Sequence, residues 1–294
     1  MKARMLFAWI VLICALALYP QLTPSAFWLN FGAVTLMFAT LAQSWNVLGG
    51  YGGQYSFGHA LFFGVGAYAT ALWQIRFGLD PWTGFGAAIF AGALVGAFFG
   101  ALSFRSGLRG SYFALITLAF AEVFRILAAS LAFTGGGQGL LMTLRPGAAH
   151  FQFTDRRMVF YVAALVFLAS LLATLFIERS RFGARLVALR ENEDAARALG
   201  VDVFRVKLGA ITLSGAIAAA AGALYAQMFL YIDAGIAFGA HVSVEALVAP
   251  IVGGPGTLFG PLIGTIALRL LNESAQHVTG GAPGLGLALF GLVL

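Results

Sequence analysis

Six apolar segments, each about twenty residues long, constrain the fold of this chain more than any other feature. A helix rises about 1.5 Å per residue, so roughly 20 apolar residues cross the hydrocarbon core of a bilayer. The segments lack the strict alternation of apolar and polar residues that barrel strands show, so they predict transmembrane helices. They cover residues 26–48, 57–75, 82–104, 111–133, 158–177 and 208–232.

The composition places the chain among membrane proteins. Hydrophobic residues make up 61% of the 294 residues and charged residues 10%, whereas a soluble domain contains about 45–50% and about 25%. Too few polar side chains are present to cover a globular surface in water. The single Cys14 cannot form an internal disulfide, so the cysteine content says almost nothing about the redox compartment.

Three further apolar segments are less regular. Residues 5–19 resemble the core of a signal peptide, but no small-x-small cleavage site follows Tyr19, so we expect a retained first span. Residues 242–271 contain a Gly-Gly-Pro-Gly break, and the segment 283–294 is short for a span. With these segments, we predict an all-α integral membrane protein, a polytopic helix bundle of about eight to ten transmembrane spans.

Glycine spacing predicts where two of these helices approach each other. Gly92, Gly96 and Gly100 lie four residues apart, on one face of the span 82–104. Such a ridge of small residues lets two backbones come close together in lipid, where side-chain burial gives no hydrophobic advantage. We therefore expect another helix to pack on this face.

The distribution of charge predicts the topology. The chain carries 17 Lys and Arg against 11 Asp and Glu, and cytoplasmic loops of membrane proteins collect basic residues. With the basic N-terminus inside, the turn 105–110 and the polar segment 178–207 also lie inside, and the segment 134–157 lies outside. No basic stripe with interleaved aromatic residues stands apart from the spans, so the charge gives no reason to expect a nucleic-acid partner.

The polar segment 178–207 contains a short helix with recognisable ends. Asn192 is a favourable N-cap, and Glu193 and Asp194 put negative charge at the first turn, where the helix dipole favours it. Arg197 lies toward the C-terminal end, and Gly200 is suited to end the helix in a left-handed conformation. A second amphipathic piece, 184–191, precedes this helix.

This segment is predicted to dock on a partner rather than to connect two spans passively. Loops longer than about 12–15 residues are uncommon unless they are functional. A short helix is marginal without a partner, and this one presents a small apolar face formed by Ala195, Ala198 and Leu199. The chain has no phosphate-binding loop of its own, so a cytoplasmic motor protein is the natural partner.

Two charged residues lie inside the predicted span 111–133. Glu122 and Arg125 are three residues apart, so they share a helix face and can pair. A charge at the middle of a membrane costs several kcal/mol and usually faces the bundle interior or a water-filled path. The residues alone leave two interpretations open, a place along a translocation route or a structural ion pair that locks two helices together.

Other polar groups are candidates for the same route. The glycine-rich stretch 49–58 is interpreted either as a non-helical break at membrane depth, offering Gln54, Ser56 and His59 to a polar solute, or as an ordinary cytoplasmic turn. Metal and covalent catalysis have little support, because the four histidines lie on separate segments without ligand spacing, and no cofactor is expected. The translocation-path candidates are Gln54, Ser56, His59, Tyr112, Thr117, Glu122 and Arg125.

Five sequence blocks carry a resemblance to a known family. They are WNVLGGYGGQYSFGHALFFGVGAY at 45–68, GSYFALITLAFAEVFR at 110–125, TGGGQG at 134–139, GARLVALRENEDAARALG at 183–200 and GGPGTLFGP at 253–261. In this order they resemble the M-type permease subunit of branched-chain amino acid (LIV) ABC importers. The family normally ends with a full last span and a basic tail, from which the short segment 283–294 departs.

The resemblance implies one permease domain over residues 1–294, with the ABC importer permease fold, a cytoplasmic coupling loop at 178–207 and a multi-pass location in the bacterial inner membrane. It implies four kinds of partner: a second homologous permease, two cytoplasmic ATP-binding subunits, an extracytoplasmic solute-binding protein and membrane lipid. The implied cargo is a branched-chain or other hydrophobic amino acid, and the chain itself is not an enzyme. The implied ATPase-coupling residues are Arg190, Glu191, Asn192, Glu193, Asp194, Ala195, Arg197 and Gly200.

Two alternatives remain open. Permeases for urea or short amides are similar to this family, and the sequence does not separate the two cargoes. The other alternative is a stand-alone secondary transporter, in which Glu122 is the ion-coupling group and the segment 178–207 is only a connector.

Overall fold

The computed structural model describes residues 2–23 and 25–279, which are almost entirely helical. A π-helical turn, Asn46–Tyr51, continues α2. Two short antiparallel strands, β1 (Leu140–Leu141) and β2 (Tyr231–Ile232), pair after α5 and α9. The helices are α1 Lys2–Leu22, α2 Ala26–Trp45, α3 His59–Ile75, α4 Pro81–Arg105, α5 Gly110–Ser130, α6 Arg156–Arg179, α7 Arg181–Glu191, α8 Glu193–Ala198, α9 Val203–Phe229, α10 Ala234–Ala237, α11 Ala240–Gly253 and α12 Gly260–Thr279.

The predicted all-α, polytopic class is confirmed. In the described part of the chain, six helical segments are long and apolar enough to cross a membrane. Five of them match predicted spans, and the predicted span 57–75 forms the 17-residue α3. The count of about eight to ten spans stays a prediction, and the segment 283–294 lies outside the described residues. The six segments are Ala26–Tyr51, Pro81–Arg105, Gly110–Ser130, Arg156–Arg179, Val203–Phe229 and Ala234–Gly253.

Helix α9 lies at the centre of the bundle, against α4, α3 and α2. The predicted glycine ridge of α4 faces it, because Gly92, Gly96 and Gly100 are all buried on that side. A Cβ atom at Gly96 would lie 2.7 Å from the carbonyl oxygen of Ile211 on α9. The two backbones therefore pack closely, as small residues allow in a membrane.

The π-helical turn at the end of α2 contacts the glycine-rich interruption that follows α11. The predicted break within 242–271 separates α11 from α12 at residues 254–259. The break predicted at 49–58 begins later, at Gly52, because the π-helical turn continues α2 as far as Tyr51. Asn46 joins the two, since its side chain accepts from the amide of Gly256 (2.8 Å) and donates to the carbonyl of Thr257 (2.9 Å).

Candidate functional site

Helix α8 forms where its capping residues predict it. The Asn192 side chain accepts a hydrogen bond from the amide of Ala195 at 3.0 Å, which satisfies one free N–H group of the first turn. Glu193 and Asp194 occupy that turn. Gly200 adopts φ +84°, the left-handed conformation that favours glycine after a helix.

One side of α8 anchors the helix and the other is open. Ala196 is buried against the bundle. Ala195 and Ala198 are exposed, and Leu199 exposes 86% of its surface. The apolar face predicted for docking is therefore uncovered in the described chain.

Glu193 fixes α8 to two other parts of the protein. Its side chain, 14% exposed, lies 2.6 Å from Nζ of Lys207 on α9 and 3.1 Å from the guanidinium of Arg109 in the α4–α5 turn. Arg197 of α8 adds a third contact at 3.0 Å. The segments 105–110 and 178–207, both predicted on the cytoplasmic side, thus meet through one carboxylate.

Arg190 ties α7 to the glycine-rich turns. Its Nη1 donates to the carbonyl of Gly50 in the π-helical turn at 3.0 Å, and the same guanidinium pairs with Glu191 at 2.7 Å. Tyr51 donates from its hydroxyl to Glu178 at 3.1 Å. The coupling-loop candidates are therefore connected to the membrane bundle at both the α7 and the α8 ends.

The predicted pairing of Glu122 and Arg125 is present. Two hydrogen bonds join them, from Nε (2.9 Å) and Nη2 (2.6 Å) of Arg125. Both side chains lie on the outward face of α5, with 51% of Glu122 and 37% of Arg125 exposed, so within this chain they do not face the bundle interior. The pair also joins residues of one helix, so it does not lock two described helices together.

The outward face of α5 continues away from this pair. Tyr112 and Leu115 are exposed about two to three turns before Glu122 in the helix. The opposite face carries buried Phe113 and Thr117. The outward face of α5 is therefore an exposed stripe on the surface of this chain, and the Glu122–Arg125 pair lies about midway along it.

Four other path candidates lie inside the protein. His59 is fully buried, and its Nε2 lies 2.8 Å from the hydroxyl of Ser214, which itself donates to Ser44. Thr117 accepts from the amide of Phe57 at 3.1 Å. Ser56 and Gln54 are buried in the same irregular segment and bond to its backbone. Thr117, Ser56 and Gln54 thus bond to the segment 52–58, His59 bonds to α9, and none of the four reaches the outward face of α5.

The sequence analysis missed a charged contact between α11 and α12. Arg269 approaches Glu245 at 3.8 Å, with both side chains largely buried, and lies 4.2 Å from the ring centre of Phe38. The Glu245–Arg269 pair joins two helices, which is one of the two roles that the sequence left open for Glu122 and Arg125. The available signal was two charges within the apolar segment 242–271.

Comparison with known proteins relates this sequence to permeases. The model of the family "Branched-chain amino acid transport system / permease component" matches residues 27–294. The high-affinity branched-chain amino acid transport system permease proteins LivM of Salmonella typhimurium and Escherichia coli are each 30% identical to this chain over 284 residues. The match covers 86% of this chain and 66% of each relative. A probable LivM permease of Methanocaldococcus jannaschii is 28% identical over 72% of this chain and 65% of its own length.

Proposed function

The chain belongs to the family of branched-chain amino acid transport system permease components, and we propose that it is the membrane subunit of an ATP-driven importer of branched-chain or other hydrophobic amino acids. In this role it forms half of a translocation path and hydrolyses no ATP itself. The uncovered apolar face of α8 is the observation that carries the proposal. A stand-alone carrier has no need for a capped helix that is anchored on one side and open on the other.

Helix α8 is the element that a cytoplasmic ATPase grips. Leu199 and its alanine neighbours supply an apolar contact, and Asp194 and Arg197 supply charges at its edge. The coupling residues divide by position. Ala195 faces the partner, Glu193 and Arg190 face the bundle, and Asn192 and Gly200 fix the ends of the helix.

Closure of the ATPases would displace α8, and Glu193 would carry that displacement in two directions. Lys207 transmits it to α9, the central helix, and Arg109 transmits it to the turn between α4 and α5. Because α4 packs on α9 through its glycine ridge, both contacts act on the same pair of packed helices, α4 and α9. Tilting this pair, together with α6, alternates access between the two sides of the membrane.

The outward face of α5 lines the path, opposite a second permease. A charged pair exposed to lipid tails at mid-membrane is costly, so such groups face protein or water. Glu122 and Arg125 neutralise each other, which leaves a polar but uncharged surface beside Tyr112. Such a surface suits a zwitterionic cargo that must not be trapped by one strong charge.

The remaining partners follow from the same arrangement. Two ATP-binding subunits engage this chain and its homologous partner on the cytoplasmic side. A solute-binding protein delivers cargo to the outer segment 134–157. The assembly lies in the cytoplasmic membrane of a bacterium, surrounded by lipid.

Co-purification tests the proposal. The chain is expressed at native level, extracted in mild detergent, and every retained protein is identified by mass spectrometry. We expect a second permease and ATP-binding subunits, and uptake of labelled leucine by cells that depends on this chain. A solitary or self-associated chain contradicts the importer proposal and favours the secondary transporter with Glu122 as its coupling group. Uptake of urea or short amides instead of leucine identifies the alternative cargo.

A further inference from the structure

A cavity of about 270 Å³ lies at the predicted outer end of the bundle, apart from the exposed face of α5. It is bounded by α2, α6 and α9 and by the outer segment 144–154. Pockets for drug-sized ligands measure about 300–1,000 Å³, so this cavity is suited to a smaller molecule.

Gln227, in the last turns of α9, places a buried side-chain amide without hydrogen-bond partners at the cavity. Its side chain lines the cavity and only 6% of the residue is exposed. Neither its amide nitrogen nor its amide oxygen has a hydrogen-bond partner among the residues that the structure describes. A buried amide without partners is costly, so a bound molecule is expected to supply them.

A positive charge lies at the same cavity. Arg156, the first residue of α6, contributes to its wall. It makes no ion pair with any residue in the described part of the chain. Asn30 of α2 adds a second side-chain amide. Gln152 and Thr154 complete the polar lining, and the Gln152 amide is already hydrogen-bonded to the backbone of Thr143 and Arg145. The lining therefore offers one cation and several groups that can both donate and accept.

Most of the remaining wall is apolar, and two of its residues have unusual backbone conformations. Phe151 (φ +54°) and Leu230 (φ +56°) are the non-glycine residues with positive φ in the part of the chain that the structure describes, and both line this cavity. Phe151 stacks on Trp82 with ring centres 4.1 Å apart, and the Trp82 indole donates to the carbonyl of Ala148. Residues held in sparsely populated conformations concentrate at functional sites.

We propose that this cavity binds an aliphatic α-amino acid as its zwitterion. The Arg156 guanidinium receives the carboxylate, as guanidinium groups do in charge-assisted pairs. The amide oxygen of Gln227 accepts from the ammonium group. The aliphatic side chain lies against the apolar wall that includes Val159 and Met228. The choice of an amino acid over another small zwitterion rests on the proposed function, whereas the site itself rests on Gln227 and Arg156.

Equilibrium binding of tritiated leucine to the intact transporter tests the site. The complex is purified in nanodiscs without the solute-binding protein, and Gln227→Leu is compared with the wild type. This substitution keeps the approximate volume and removes the amide, so we expect at least about tenfold weaker binding, the effect of losing one hydrogen bond to a charged group. Gln74→Leu is the matched control, because the Gln74 amide donates to Thr70 of its own helix and Gln74 is not among the residues that line the cavity.

Trp82 provides a second readout that locates the ligand. Leucine is expected to change the intrinsic fluorescence of the wild type, because Trp82 stacks on the cavity residue Phe151. The change is expected to disappear in Trp82→Phe, while leucine still binds. If Gln227→Leu binds leucine as tightly as the wild type does, the proposed site is wrong. If the wild type shows no saturable binding of leucine, the site is also wrong, and the cavity holds water alone.

Uptake by cells separates this proposal from the proposed function. If cells take up leucine and Gln227→Leu binds leucine as the wild type does, the importer function is retained and the proposed binding site is wrong. If leucine binding depends on Gln227 but the chain supports no uptake of any amino acid, the binding site is retained and the proposed importer function is wrong.

Discussion

The carboxylate of Glu193 on α8 lies 2.6 Å from the ammonium of Lys207 on α9, and the Lys207 side chain is only 4% exposed. This ion pair joins the short helix α8 to the central helix of the bundle. Lys207 also lies 5.5 Å from the ring centre of Phe104 at the end of α4. We therefore expect a movement of α8 to reach α9 and α4 through this one buried contact.

Glu193→Gln is expected to destabilise the protein and to uncouple transport. Breaking a buried ion pair by removing one partner costs about 3–5 kcal/mol, because the remaining charge is buried without compensation. We expect a lower thermal unfolding temperature and less uptake per ATP hydrolysed. Both are measured on the reconstituted transporter.

The control for Glu193 removes both charges of the pair. Glu193→Gln combined with Lys207→Met leaves no lysine charge buried without a partner, so we expect the unfolding temperature to recover in part while coupling stays impaired. Asp194→Asn, on the exposed side of α8, is expected to change stability little. If Glu193→Gln has the unfolding temperature and coupling of the wild type, the pair does not connect the helices as described.

Leu199→Glu is expected to weaken binding of the ATP-binding subunits by about tenfold or more, because a charge would enter an apolar contact. Leu199 exposes 86% of its surface, so the stability of the isolated chain is expected to stay within about 0.5 kcal/mol of the wild type. Pull-down of the ATP-binding subunits measures the effect. Arg205→Ala is the control, since Arg205 is as exposed as Leu199 but lies on α9. Equal retention of the ATP-binding subunits by both variants would exclude Leu199 from the docking surface.

The ends of helices were predictable because local residues determine them. Asn192 and Gly200 act within three residues of their partners, and their side-chain and backbone preferences fix where α8 starts and stops. The glycine ridge of α4 was predictable for the same reason, since its spacing alone places it on one face. In these cases the sequence contains the physical cause within one or two turns of helix.

The direction in which α5 faces was not predictable. Apolar residues surround α5 on all sides, because lipid tails and a protein core accept the same side chains. Periodicity therefore did not show that Phe113 faces the bundle and Glu122 faces outward. The contact of Glu193 with Arg109 was also out of reach, since 84 positions separate them in the chain.

Glu122→Lys is expected to reduce uptake strongly without reducing the amount of folded protein. The pair lies on the outward face of α5, so no described helix depends on it for packing. Two positive charges on that face would oppose the ammonium group of the cargo. Uptake by cells is compared with the amount of protein in the membrane. The double variant Glu122→Lys with Arg125→Glu restores a neutral pair and is expected to recover uptake. Unchanged uptake in the single variant Glu122→Lys would show that α5 does not line the path.

Gly96→Val is expected to destabilise the bundle by about 1–3 kcal/mol, the usual cost of overpacking. A Cβ atom at this position would already lie 2.7 Å from the carbonyl oxygen of Ile211, so α4 and α9 must separate to admit a larger side chain. Gly86→Val is the matched control on the same helix, because a Cβ atom there meets nothing within 4 Å. Both variants carry the same helix-propensity change, which leaves packing as the difference between them. The thermal unfolding temperature of the detergent-solubilised protein measures it, and equal temperatures for the two variants would mean that the glycine ridge does not hold α4 against α9.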